Sequence, residues 1–301
     1  MGQPQLRLKQ DVPTRWNSTY YMLKRIAEVK DPLISTLALV NPQLQTLSLE
    51  EWEMVKETCE VLQPFEEVTV ELSAERFVTG SKAILMARGL QRVTAHRQRS
   101  PSIYQPIRNM VDILMAEIVK RLGGIEQVSL LADATLLDPR FKKHAFLHDR
   151  HAEDAVTRVV GAASRSLRPL PLATPSTEEG EGVPQASTST ETVPVIWADF
   201  EERVASLRPG VQNPFTEAML EIKGFLSEPL LPRTSDPLEW WKSRATVFKK
   251  TCDIMKTRLC IVATSIPSER IFSKAGQIIT DRRNRLSPGK VRELIFLNAN
   301  L

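Results

Sequence analysis

The C-terminal run from Thr264 to Leu301 constrains this chain more than any other stretch. Ser265 is suited to cap a helix, because its hydroxyl can accept from a first-turn N–H that has no helical partner. Pro267 is tolerated in the same turn, where a missing N–H breaks no hydrogen bond. Ile271, Phe272, Ala275, Ile278 and Ile279 then recur at helical spacing and form one apolar stripe. Ser287-Pro288 opens a second helix, with proline at its favoured first position. Val291, Leu294, Ile295 and Leu297 are expected on that helix's apolar face. Arg282, Arg283 and Arg285 lie between the two. The spacing predicts a helical hairpin with a cationic elbow. Glu269 falls in the first turn of its first helix, where the helix dipole favours negative charge.

The rest of the sequence reads as helical too. Asn17 or Ser18 can start a helix carrying Tyr21, Met22, Ile26 and Val29. Ser48 and Glu51 have capping-box spacing, and Trp52, Val55, Cys59 and Leu62 follow on one face. Pro64 is expected to kink or end that helix. Cys59 reads as a packed residue on the stripe. Ser81 to Val93 and Ile103 to Leu122 give two more periodic helices, and Gly123-Gly124 stops the second. His144, His148 and His151 could share a helical face. Their polar surroundings favour a solvated face, so no metal is expected. Cys260 to Ala263 reads as a short buried run.

Composition shifts sharply between Ser164 and Pro194, which is rich in Ser, Thr, Pro, Gly and Glu and has no aromatic residue. Such a segment buries too little apolar surface to offset the entropy of ordering it. The expected organisation is a helical region at 1–163, a disordered linker at 164–194 and a C-terminal region at 195–301. Net charge is only +4, so any argument for nucleic acid must rest on local clusters. Three cysteines at scattered positions fit neither a disulfide framework nor a zinc pattern. The N-terminus has no signal-peptide character, and no apolar run approaches a membrane span. An intracellular, soluble protein is expected.

Several blocks carry a family resemblance. They are S-I-P-S-E-R-I-F-S-K-A-G from Ser265, R-R-N-R-L-S-P from Arg282 and L-I-F-L-N from Leu294. Together they resemble the C-terminal signature of hAT-superfamily transposases, above all the domesticated proteins that carry BED zinc fingers. T-R-W-N-S-T at Thr14, L-D-P-R-F-K at Leu137 and D-P-L-E-W-W at Asp236 are similar to further blocks of that family. The resemblance implies a mainly α fold: the helical insertion region plus the C-terminal helices of an incomplete RNase-H-like transposase fold.

It implies dimerisation through the C-terminal region. Trp240, Trp241, Ile271, Phe272, Leu294 and Ile295 are the candidate surface. Adjacent tryptophans point about 100° apart on a helix, so one can pack inward while the other serves a partner. Arg15, Trp16, Arg282, Arg283 and Arg285 are the candidate DNA contacts. In active relatives the matching tryptophan stacks on a flipped base, a contact typically worth about 1–3 kcal/mol. Asp138 reads as a local cap held by Arg140 and not as a metal ligand.

Glu269 matches the third acid of the family's metal-binding triad. The family's first two acids precede the R-W block, which here begins ten residues from Met1. The expectation is therefore a vestigial Glu269, no intact catalytic site, no BED finger and no cofactor. The expected activity is non-catalytic association in the nucleus with itself or a related hAT-derived protein, in transcription regulation. The alternatives are a DNA-binding regulator using the basic residues, or a transposase subunit completed in trans.

Overall fold

Ser48 starts the longest helix as its sequence dictates. Its hydroxyl accepts from the Glu51 N–H at 3.3 Å, and the Glu51 carboxylate accepts from the Ser48 N–H at 2.7 Å. Two first-turn donors are thereby satisfied reciprocally. This helix is one of twelve α-helices among the residues that the computed structural model describes, 6–74, 77–165, 213–278 and 286–300. In chain order they are α1 Trp16–Glu28, α2 Lys30–Val40, α3 Leu49–Leu72, α4 Ala83–Gln98, α5 Gln105–Leu122 and α6 Ser129–Leu137. There follow α7 Asp149–Arg165, α8 Pro214–Ser227, α9 Pro237–Arg244, α10 Lys249–Leu259, α11 Ile266–Ile278 and α12 Pro288–Asn300. There is no β-strand among the described residues. The mainly α expectation holds.

Pro64 does not end α3, which runs unbroken through it to Leu72. The helix buries Trp52 and Val61 and packs on α1, α4 and α5. That tertiary packing outweighs the loss of one helical hydrogen bond. Tyr20, not Tyr21, is the buried residue of α1. A small apolar cluster of Val61, Ile107 and Val111 joins α3 to α5.

The main core forms elsewhere. Leu136 and Leu137 of α6, Ala155 and Val159 of α7, and Ile222 and Phe225 of α8 meet Trp241 of α9 and Cys252, Met255 and Leu259 of α10. One core therefore draws on residues either side of 166–212. Buried residues between Val78 and Ala163 and between Ala218 and Leu259 belong to this one cluster. Ser164 and Arg165, placed in the linker by composition, belong to the end of α7, whose apolar face includes Ala163. The remainder of the expected linker, and residues 195–212, lie outside the described residues.

Candidate functional site

A short strap positions the C-terminal hairpin. Gly80 donates its N–H to the Ile261 carbonyl at 3.2 Å. A Cβ on Gly80 would sit 2.5 Å from that same oxygen, so glycine is what permits the approach. The Thr79 hydroxyl accepts from the Ala263 N–H at 3.1 Å, and the Thr264 hydroxyl donates to the Leu72 carbonyl at 3.4 Å. Cys260 to Ala263 is thus a surface strap and not the buried run expected. Cys260 is exposed and Val262 is 52% exposed. Hydrogen bonding, not side-chain burial, holds it down.

From the strap the chain enters α11, which packs on α12. No residue of α11 is fully buried, and none is among those of α12 whose burial is described. Ile271 and Leu294 are exposed, and Ile295 is half-buried. Phe272 is 74% exposed and Phe296 is 65% exposed. Phe296 lies one residue beyond Ile295 and off the predicted stripe of Val291, Leu294, Ile295 and Leu297. Glu269 stands exposed in the first turn of α11. Ser265 donates its hydroxyl to the Glu269 carboxylate at 2.5 Å, the reverse of the capping role expected of that serine. Among the described residues, no cluster of three groups able to hold a metal includes Glu269.

The paired tryptophans divide their roles. Asp236 caps α9, accepting from the Leu238 N–H at 2.8 Å, and Pro237 takes the first position. Trp241 is wholly buried. Its indole N–H donates to the Leu137 carbonyl at 2.9 Å, and its ring lies 4.8 Å from that of Phe225. Trp241 is therefore removed from the candidate surface predicted from sequence: its body fills this chain's own core. Trp240 is half-buried, at right angles to Trp241 and stacked near Phe248 at 6.1 Å.

The L-D-P-R-F-K block is a structural clasp. Asp138 is fully buried and accepts from the Arg140 backbone N–H at 3.0 Å, from its Nε at 2.9 Å and from Nη2 at 2.6 Å. The local Arg140 contact predicted from sequence is present. Asp138 also accepts from the Ser81 hydroxyl at 2.6 Å. Lys142 is 1% exposed and donates to the Phe225 carbonyl at 2.7 Å and to the Glu228 carbonyl. Its ammonium thus caps the C-terminus of α8, where a cation is favoured. Burial pushes the Lys142 ammonium below its ordinary value, against an opposing pull from Glu228. The Leu231 N–H closes the clasp on the Pro139 carbonyl at 3.1 Å.

Arg15 and Trp16 lie at the start of α1, and both are exposed, Trp16 by 45%. Neither Asn17 nor Ser18 caps that helix; the N-cap position is Arg15, without a side-chain cap bond. Ser18 instead donates to Asp11 at 2.5 Å, and Thr19 does so at 2.9 Å. Those bonds, from Ser18 first, hold the Asp11 carboxyl below its usual range. The Tyr21 hydroxyl donates to Glu66 of α3, which fixes α1 and raises the phenol to about 12. Arg282, Arg283 and Arg285 lie outside the described residues.

The three histidines do not share a helix face. His144 falls in a 3-10 turn at Lys142–Ala145, and α7 starts only at Asp149. His148 and His151 instead converge on Glu126, in a 3-10 turn at Ile125–Gln127. Spacing could not reveal Glu126, which lies more than twenty residues upstream of both.

Comparison with known proteins bears on these blocks. Residues 221–301 match the hAT family C-terminal dimerisation region, and residues 1–61 match the ZBED1 RNase-like helical domain. Zinc finger BED domain-containing protein 4 of Homo sapiens is 26% identical over 99% of this chain and 24% of its own length. The Putative AC transposase of Zea mays is 26% identical over 95% of this chain and 36% of its own. Zinc finger BED domain-containing protein DAYSLEEPER of Arabidopsis thaliana is 24% identical, over 96% and 40%. The chain thus spans 24% to 40% of the length of these three relatives.

Proposed function

We propose that this transposase-derived chain, which carries a hAT C-terminal dimerisation region and a ZBED1-type RNase-like helical domain and whose relatives are BED zinc-finger proteins and AC transposases, works by association with a second copy or a related hAT-derived protein, in the nucleus and in transcription regulation. One observation carries the reading: the α11–α12 hairpin displays Phe272 and Phe296 while burying no residue whose burial is described. Fully covering an aromatic or aliphatic side chain contributes roughly 1.5–3 kcal/mol, so a few such residues supply a useful association energy. The match of residues 221–301 to a dimerisation region supports the same face. By itself the chain is read as non-catalytic, because one carboxylate cannot hold a two-metal site and, among the described residues, Glu269 belongs to no cluster of three groups able to hold a metal.

The test uses two differently tagged copies expressed together. Intact copies should co-purify, and copies carrying F272E and F296E should not. Co-purification that survives both substitutions would move the interface elsewhere. A second reading, DNA contact through Arg15 and Trp16, is favoured by the exposure of both side chains at the start of α1. Cation and aromatic face together suit phosphate and base contacts.

A further inference from the structure

The geometry points to a second site, remote from the hairpin: a divalent-metal site of zinc's class formed by Glu126, His148 and His151. Its construction starts with the backbone. The 3-10 turn at Ile125–Gln127 presents the Glu126 side chain, which is 8% exposed, toward the entry of α7. His148 stands just before that helix, and His151 lies in its first turn. Glu126 Oε2 lies 3.1 Å from His148 Nδ1 and 2.9 Å from His151 Nδ1. One donor atom from each residue falls within 4.8 Å of the others.

The two Glu126 separations suit a small tetrahedral ion, and the imidazole donors, which lie within 4.8 Å of one another, close on it by rotation of the His148 side chain, which is 62% exposed. Nitrogen and oxygen ligands about 2.0–2.1 Å from zinc sit about 3.3 Å from one another. The two Glu126 distances need to open by only a few tenths of an ångström. Two imidazoles and a carboxylate are also the donors such an ion accepts, leaving a fourth position for water. The support behind the ligands is in place. Glu126 Oε1 accepts from the Leu147 N–H at 2.5 Å, which fixes the carboxylate and leaves Oε2 facing the imidazoles. Without an ion, the Nδ1 atoms can donate to Oε2. With one, each imidazole carries its proton on Nε2 instead.

The charges nearby set the strength. Glu126 Oε2 also accepts from the His148 backbone N–H at 3.3 Å, a second fixed support for the carboxylate. Arg150, Asp154 and Arg158 line the adjoining recess with Gln127. Arg158 is neutralised by Asp133 at 2.9 Å. Arg150 and the positive end of α7 oppose a cation. Micromolar affinity is expected, weaker than that of a closed four-ligand site.

Isothermal titration of the intact chain with zinc alone tests this. One equivalent should bind, and E126Q and H151Q should each weaken binding at least about tenfold. H144Q, an exposed control on a different turn, should leave it unchanged. H148Q serves where the other variants lose the helical far-ultraviolet signature, since His148 is 62% exposed. The cobalt-substituted chain should show a tetrahedral visible spectrum without a sulfur-to-metal band. No saturable binding, binding indifferent to all three ligand variants, or a sulfur band from the free cysteines would each overturn the site.

Discussion

Replacing Asp138 with alanine is expected to be among the most damaging single changes in the core. Asp138 is fully buried, and its partner, the Arg140 side chain, is 6% exposed. Alanine removes the Ser81 bond and both guanidinium bonds, leaving an uncompensated charge out of water. Breaking a buried pair from one side costs about 3–5 kcal/mol. At about 2–4 °C per kcal/mol for a domain of this scale, the melting temperature should fall by roughly 6–20 °C. The companion variant R140M should cost less. The carboxylate it leaves behind keeps the Ser81 hydroxyl and the backbone N–H of residue 140. Removing both charges, as D138A with R140M, should cost less than the two single changes summed, by about 0.5–3 kcal/mol of coupling. Urea denaturation of all four proteins, read at constant slope, measures the cycle. Additive single losses, or a D138A cost under about 1 kcal/mol, would refute the claim that this pair acts as one buried unit.

Two further outcomes follow from α1. The Tyr21 phenol should ionise near 12 and not near 10, and E66Q should return it toward 10. Because the folded value lies above the unfolded one, the stability contributed by the Tyr21–Glu66 bond is whole below pH 10 and is lost as pH rises through about 12. Phenolate absorbance across an alkaline titration, compared with Y21F to assign the signal, reads this directly. If Arg15 and Trp16 meet DNA, affinity for a duplex should fall with rising salt, and R15A should flatten that slope by about one unit. W16A should cost about 1–3 kcal/mol on single-stranded DNA. Affinities unmoved by both changes would remove DNA contact at this end of the chain.

The elements with local causes were legible in the sequence. The Ser48–Glu51 box, the Asp236 cap with Pro237, and the stripe of Ile107, Val111 and Ile118 depend on residues a few positions apart. The Asp138–Arg140 pair is of the same kind. What sequence could not give were partners brought together by tertiary folding. Lys142 reaches the Phe225 carbonyl 83 positions away, and Trp241 reaches the Leu137 carbonyl at a separation of 104. The division of Trp240 from Trp241 was legible as an angle but not as a direction. Which ring points inward is settled by Phe225 and the α6 carbonyl that receives the indole. Glu126 was invisible for the same reason: nothing in its own neighbourhood marks it as a partner of histidines beyond the next helix. The hairpin was the converse case. Its stripes were plain in the sequence, and the structure shows that the described part of this chain leaves Phe272 and Phe296 uncovered.

That exposed face also decides how the central claim is to be tested. Deleting everything from Asp236 onward would strip Trp241, Cys252, Met255 and Leu259 from the main core. Loss of association would then be inseparable from loss of fold. Light scattering on the intact chain over a concentration series, beside the full-length F272E and F296E double variant, avoids this. The mass should rise from monomer to dimer with concentration for the intact chain and stay monomeric for the folded variant. A monomer at every concentration, or a variant that dimerises as the intact chain does, would contradict self-association through the C-terminal hairpin.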